Sequence, residues 1–502
     1  MYIRPPMSRG IPRPRALLLG LSGMLLLSAC RLPAGSAPPP ARDAHRLPIH
    51  RVAGPAGRVD SGFSSTLRAA DPARRFTAIV DLTEQLDLRE LVGGRRGAAL
   101  SKAARRAAVI SGLEQVADRQ QQRLRPLTDR LLAEGSLNYV RPVAIVNRLI
   151  VEGTASGLLA LAADREVAAV LPDWTSEPGT SRGEAVGSGE PAPLGDTFRS
   201  WAIDAMRADR LWARGLDGKG VVVAAIDTGA FESHEQLRGR RLPESRGWFD
   251  PVEGSSEGAD GHGHGTSVLS QAVGGNPGGR LVGIAPGARW AAALGNWKNY
   301  YSRSRMTLAA DWVLRVARPD VVVNAWSHDE GECSEFDRAF IDAWKAAGIF
   351  VVYPAGNAGP NPSTGESPAQ LAGIFPDGGP VFSVAALAPS GVVHALSSRG
   401  PSRCGSSGFP TLAAPGADLP YAATAGPRAY LRGQGTSLSA GLVGGAAALL
   451  LQADPELPPE ALERILVRSA RDVPPAGRDD AAGAGSLDLE AALALVLAEA
   501  GP

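Results

Sequence analysis

The chain predicts an α/β protein: a doubly wound, mostly parallel sheet preceded by a small α+β domain. Two observations carry the first part. Val221-Val222-Val223-Ala224-Ala225-Ile226, Val321-Val322-Val323, Ile349-Phe350-Val351-Val352 and Val381-Phe382-Ser383-Val384 are short apolar runs, the pattern of parallel strands covered on both faces. Helical candidates lie between them at 307–317 and 335–347, and this alternation places ligands at the C-terminal ends of the strands. A third observation carries the small domain: residues 76–172 order as strand, helix, strand, strand, helix, strand, the split βαβ sequence.

In chain order, residues 1–29 form a targeting segment. Arg4, Arg9, Arg13 and Arg15 precede an apolar stretch at 16–29 that is too short for a comfortable membrane span. It ends in Leu27-Ser28-Ala29-Cys30, which resembles the lipobox of bacterial lipoproteins. That resemblance implies cleavage before Cys30, a lipid on its thiol and attachment to a membrane of the bacterial cell envelope, in a leaflet left open. The alternative is an ordinary secretory signal and an extracellular product. Either way the chain is exported, and Cys333 and Cys404 remain as a pair that invites a disulfide; their closeness in space is not legible.

Residues 30–73 are Pro, Ala, Arg and Gly without periodicity, a flexible tether. The small domain, 74–172, opens on the alternating Phe76-Thr77-Ala78-Ile79-Val80-Asp81-Leu82. A helix over 100–133 carries Val109, Leu113, Val116, Leu124, Leu127 and Leu131 at helical spacing. Strands follow at 143–146 and 148–151, then a helix at 156–164 and a strand at 167–171. Residues 173–197 are a Gly/Ser/Pro/Glu linker suited to cleavage, and 198–498 make the large domain. A net charge of +1 in 502 residues shows no basic excess of the kind nucleic-acid partners require.

Four segments of the large domain bear chemistry. Asp227, in Ile226-Asp227-Thr228-Gly229, follows a buried strand and suits holding a histidine Nδ1–H, or simply caps a turn. His264 lies in Gly261-His262-Gly263-His264-Gly265-Thr266, where a His-x-His metal pair lacks further histidines. Asn357, in Ala355-Gly356-Asn357-Ala358-Gly359-Pro360, presents an amide to a developing oxyanion, or an ordinary turn. Ser437, in Gly435-Thr436-Ser437-Leu438-Ser439-Ala440, opens an apolar helical run whose N-terminus stabilises negative charge, or merely caps it.

The order Asp227, His264, Asn357, Ser437 is that of one family, and the chain resembles a subtilisin-like (subtilase) serine peptidase. Asp227-Thr228-Gly229 with His234 and Leu237, His264-Gly265-Thr266 with Val268, Gly356-Asn357, and Gly435-Thr436-Ser437 with Ala440 match its motifs. Ser398-Arg399-Gly400-Pro401, Ala414-Pro415-Gly416 and Gly483-Ala484-Gly485-Ser486-Leu487 add support. The likeness covers about 198 to 495, and 76–172 resemble more loosely the family's inhibitory propeptide, a ferredoxin-like domain. It implies a secreted or membrane-anchored endopeptidase: Ser437 as nucleophile, His264 as general base, Asp227 as its orienting partner and Asn357 as oxyanion donor. It also implies protein or peptide substrates, self-activation by removal of the propeptide that inhibits it, and a monomer.

The chain departs from the family after Val323. Asn324-Ala325-Trp326-Ser327-His328 stands where members carry a Ser-x-Gly segment that pairs with substrate backbone, so Trp326 is expected to alter or narrow the specificity pocket. Ala325, Trp326 and Ser327 on one side and Ala355 and Gly356 on the other are the substrate-binding candidates. Residues 296–304, with Tyr300 and Tyr301, are a second wall or a surface loop. The chemistry needs no cofactor and no metal site is legible; calcium is common in the family, yet Asp329, Glu330, Glu332, Glu335 and Asp337 read as a solvated loop. The rival classes are an inactive binding protein on the same fold and a nucleotide-binding α/β protein, the second lacking a glycine-rich phosphate loop after the first strand.

Overall fold

The computed structural model describes residues 47–499 except 53–57, 94–99, 174–193, 297–300, 328–332, 334–335 and 372–380. The targeting segment, Cys30, the start of the tether and most of the linker lie outside the described residues.

The small domain runs β1 (Arg75–Leu82), α1 (Lys102–Ala133), β2 (Leu137–Val143), β3 (Arg148–Thr154), α2 (Ala155–Ala163) and β4 (Val167–Pro172). Its strands pair antiparallel in the order β2-β3-β1-β4. Helix α1 begins where the Ser101 hydroxyl accepts the Ala104 N–H, and it buries Val109, Leu113, Val116, Leu124 and Leu131. The expected tether is folded well before residue 73. Ile49–Arg51 pairs antiparallel with Glu84–Leu86, and a helix over Ser61–Ala69, capped by Asp60, buries Phe63 and Leu67. Two apolar residues four apart suffice to dock one short helical face.

Residues 143–146 also differ from expectation. Only Val143 is strand; residues 144–147 turn between β2 and β3. Ala144, Ile145 and Val146 are nevertheless buried, because the turn is pressed against the large domain.

In that domain β5 (Val222–Asp227), β6 (Trp248–Phe249), β7 (Arg289–Leu294), β8 (Val321–Val323), β9 (Phe350–Pro354), β10 (Ser383–Leu387) and β11 (Leu412–Pro415) form one sheet. Its order is β11-β10-β9-β8-β5-β7-β6, with every pair parallel. The helices that matter for the site are α3 (His264–Val273), α4 (Arg303–Trp312), α5 (Arg338–Ala346) and α6 (Thr436–Ala453). All of α6 from Thr436 to Leu451 is buried. Its glycines permit the approach: a Cβ on Gly445 would stand 2.4 Å from the Ala272 carbonyl of α3.

The small domain docks on the helical face of α4 and α5. Asp311 of α4 accepts the Ala144 and Ile145 N–H groups at 3.2 and 3.0 Å, and Arg315 bridges Asp311 to Glu114. Lys102 pairs with Asp320 at 2.7 Å, while Arg105 donates to the Ala346 carbonyl at 2.8 Å. The Asp173 carboxylate accepts from the Ser302 and Ser304 hydroxyls and from the Ser304 N–H, at the start of α4. A carboxylate at a helix N-terminus meets both its free donors and its dipole.

Candidate active site

Strand β5 ends on Asp227, 1% exposed, whose Oδ1 accepts the His264 Nδ1–H at 2.6 Å and the Thr228 N–H at 2.7 Å. His264 is the first residue of α3. Gly265 lets that helix start so close: a Cβ there would lie 2.1 Å from the Gly229 carbonyl and 3.0 Å from Asp227 Cβ.

One residue that sequence reasoning missed organises this corner. Asp260 Oδ1 accepts from Thr228 Oγ1 (2.9 Å) and from the His262 and Gly263 N–H groups (3.1 and 2.7 Å). Its Oδ2 accepts the Thr266 N–H and hydroxyl at 2.9 and 2.7 Å. The strand end and the histidine loop are thereby tied to one carboxylate. An Asp placed just before Gly-x-Gly, with its habit of bonding backbone two and three residues on, was the available signal. At the far end of α3, Arg240 donates to the Val273 carbonyl and, at 2.8 Å, to the Pro286 carbonyl; burial pushes its guanidinium down to about 10.

Ser437 is the second residue of α6 and is 5% exposed. Its hydroxyl donates to the Ala325 carbonyl at 3.2 Å, just beyond the end of β8. Asn357 follows β9, and its Oδ1 accepts both the N–H and the hydroxyl of Thr436 at 2.9 Å. The carbonyl end of the amide is thereby fixed on the helix start, and its NH₂ end is left for another acceptor. The Thr436 hydroxyl also receives the Gly356 N–H at 3.3 Å. The ends of β5, β8 and β9 and the starts of α3 and α6 thus converge at the carboxyl edge of the sheet.

The remaining candidates divide. Ala355 is fully buried, its N–H given to the Val384 carbonyl at 2.9 Å, and the Ser327 hydroxyl donates to Glu366. Trp326, expected to alter or narrow the pocket, is packed inward: it is 6% exposed, with its ring 5.3 Å from that of Tyr353 and 5.8 Å from that of Tyr301. An indole gains most by burying its large apolar face. Tyr301 does not lie on the surface; it is buried and its hydroxyl donates to Asp337 at 2.9 Å. Asp337 is likewise buried, not solvated, while Tyr300 and the other acids of that run lie outside the described residues. Cys333 and Cys404 are joined, Sγ to Sγ, with Cα atoms 5.4 Å apart. Among the described residues no three His, Cys, Asp or Glu side chains gather as metal ligands. His234 is fully buried, accepting the Gln236 N–H on Nδ1 and meeting the Ala429 carbonyl through Nε2, which is a structural post.

A model of the subtilase family matches residues 218–485. Bacillopeptidase F of Bacillus subtilis (strain 168) is 29% identical over 74% of this chain and 27% of its own length. The serine protease AprX of the same organism is 29% identical over 50% of this chain and 61% of its own, and fervidolysin of Fervidobacterium pennivorans 29% over 58% and 43%. The chain therefore spans roughly a quarter to three fifths of the length of these relatives.

Proposed function

The chain belongs to the subtilase family, and from that premise we propose that it is a serine endopeptidase made as an inhibited, exported precursor. The observation that carries the reading is the 2.6 Å bond from His264 to Asp227, set beside a serine at a helix N-terminus and an asparagine anchored to that same helix. In the proposed reaction Ser437 Oγ leaves the Ala325 carbonyl, gives its proton to His264 Nε2 and attacks a peptide carbonyl. Asp227, holding Nδ1–H, fixes the tautomer and stabilises the imidazolium, which then protonates the leaving amine. The Asn357 NH₂ and the Ser437 N–H receive the oxyanion; loss of one such donor typically lowers turnover about 10²–10³-fold.

On this reading the ferredoxin-like domain at 74–172 is the inhibitor. Its final strand leads through Asp173, pinned at the start of α4, into the linker at 173–197 where the enzyme cuts itself. A lipid on Cys30 would hold the precursor at a membrane, and the substrates are proteins or peptides.

Intact mass and N-terminal sequencing of the chain from residue 31 onward test the reading, wild type beside Ser437→Ala. Wild type should be shortened within 173–197 while Ser437→Ala stays whole. If both stay whole and a fluorophosphonate probe leaves Ser437 unlabelled, the peptidase reading is wrong.

A further inference from the structure

Ser398, the first residue of Ser398-Arg399-Gly400-Pro401, grips the loop that bears Asn357 on both sides. Its N–H donates to the Gly356 carbonyl at 2.9 Å, and its hydroxyl accepts the Ala358 N–H at 3.0 Å. A carbonyl and an N–H each belong to a rigid peptide plane. The Gly356 carbonyl lies in the plane before Asn357 and the Ala358 N–H in the plane after it, so one residue holds both planes that meet at the Asn357 Cα. Ser398 is fully buried, and the approach is close: a Cβ on Gly356 would stand 2.8 Å from Ser398 Oγ. Gly356 has φ +107°, in the left-handed region that favours glycine. Further along, the Gly359 N–H donates to the Leu396 carbonyl at 2.9 Å, so the two segments stay in contact past Asn357.

We infer that Ser398 is a positioning residue for the oxyanion donor, acting through Asn357. This rests on the peptidase reading above. The direction a side chain takes depends on the φ and ψ of its own residue, and Ser398 holds the planes that define both at Asn357. Thr436 fixes the Oδ1 end of the amide; Ser398 fixes the backbone from which the side chain springs. With both ends held, the NH₂ group is aimed before a substrate arrives and needs no reorientation as charge develops on the carbonyl oxygen. Loss of the hydroxyl releases the plane after Asn357, while the main-chain bond still holds the plane before it. The donor is then loosened, not removed.

The test uses self-processed enzyme, with active sites counted by a fluorophosphonate, on one peptide amide: wild type, Ser398→Ala, Asn357→Ala and the double variant. Ser398→Ala should lower kcat about tenfold and leave KM within about threefold, short of the loss of about 10²–10³ that removal of the donor brings. In the Asn357→Ala background the same change should lower kcat less than about twofold, because the group it positions is gone. A Ser398 that only supports the fold would cost the same factor in both backgrounds, and that result overturns the inference. So does a kcat for Ser398→Ala within about twofold of wild type. Should Ser398→Ala fail to fold, Ser398→Cys, whose thiol fills the space and accepts only weakly, enters the cycle under the same two criteria. Labelled, active wild type leaves the peptidase reading standing whichever way the cycle falls. Absence of both labelling and turnover in wild type removes that reading and this assignment with it.

Discussion

Helix α1 buries, beside apolar side chains such as Leu124 and Leu131, a cluster of amides and charges against the turns at the end of the small domain's sheet, whereas α6 is seated in the large domain through glycine, alanine and leucine. Gln120, fully buried in α1, accepts the Glu84 N–H and the Asn147 amide and donates to Thr83 and Glu166. Glu84 in turn gathers Arg51, Arg119 and Arg123 within about 3 Å. Along α6 the comparable positions are Gly441, Gly444 and Gly445, each with backbone or methyl groups pressed against it. The first arrangement specifies one register through partners that must all be present, and it depends on pH. The second gains its stability from close packing, which no proton can alter.

The largest effect should come from breaking the packed side. Gly445→Val places a side chain where even a Cβ would lie 2.4 Å from the Ala272 carbonyl, and we expect a loss of about 3 kcal/mol or more in the large domain. Urea unfolding in a Ser437→Ala background measures it, and a loss below about 1 kcal/mol would mean that α6 is loosely seated. Next, Gln120→Leu keeps the volume and strands its polar partners, so the small domain should lose about 2 kcal/mol; a neutral result in the same assay would show that the amide cluster carries no weight.

The smallest effect is on pH dependence. For Glu84, burial pushes the carboxyl up, but the hydrogen bond and charge of Arg123 and Arg119 outweigh it and hold it below its ordinary 4.5. Glu166 is held down the same way by Arg123 and Gln120. Their contribution is complete above pH 4.5 and is lost as pH falls through their lower folded values. His234 behaves differently: burial lowers it below 6.5, so the unfolded chain takes up more protons below that pH and the large domain begins to weaken there. Melting of Ser437→Ala from about pH 8 to about pH 3 should show the shallow loss first, and His234→Gln should reduce it, leaving the part that belongs to His394, which burial also lowers, and the carboxylate loss in place. Unchanged curves in His234→Gln would show that the buried ring does not titrate in this way.

The same contrast explains what could be read from the chain alone. Strands rich in valine announced themselves, and glycine-flanked Asp227, His264, Asn357 and Ser437 were legible because close backbone approach demands glycine beside them. Arg289–Leu294 escaped notice: Trp290-Ala291-Ala292-Ala293 has little strand preference, and only its place between β5 and β6 makes it strand. Ile145 and Val146 read as strand because apolarity marks burial, not the surface that does the burying. Trp326 and Asp337 depended on partners far away in sequence, which no local pattern reports.

Eighteen residues of α6 have the length and apolarity of a membrane span, yet 89% of that window is buried within the protein. Until it is covered, such a segment dissolves as readily in lipid or in its own aggregates as in a protein core. Chain order answers the hazard. All seven strands of the large sheet precede Thr436, so on a chain emerging from its N-terminus the sheet is already made when this apolar helix arrives, and only the helices over Pro459–Arg468 and Leu489–Glu499 follow it into the same core. Ser437 rides on the first turn of that late helix, so on the peptidase reading the cutting group is made after the domain that would restrain it.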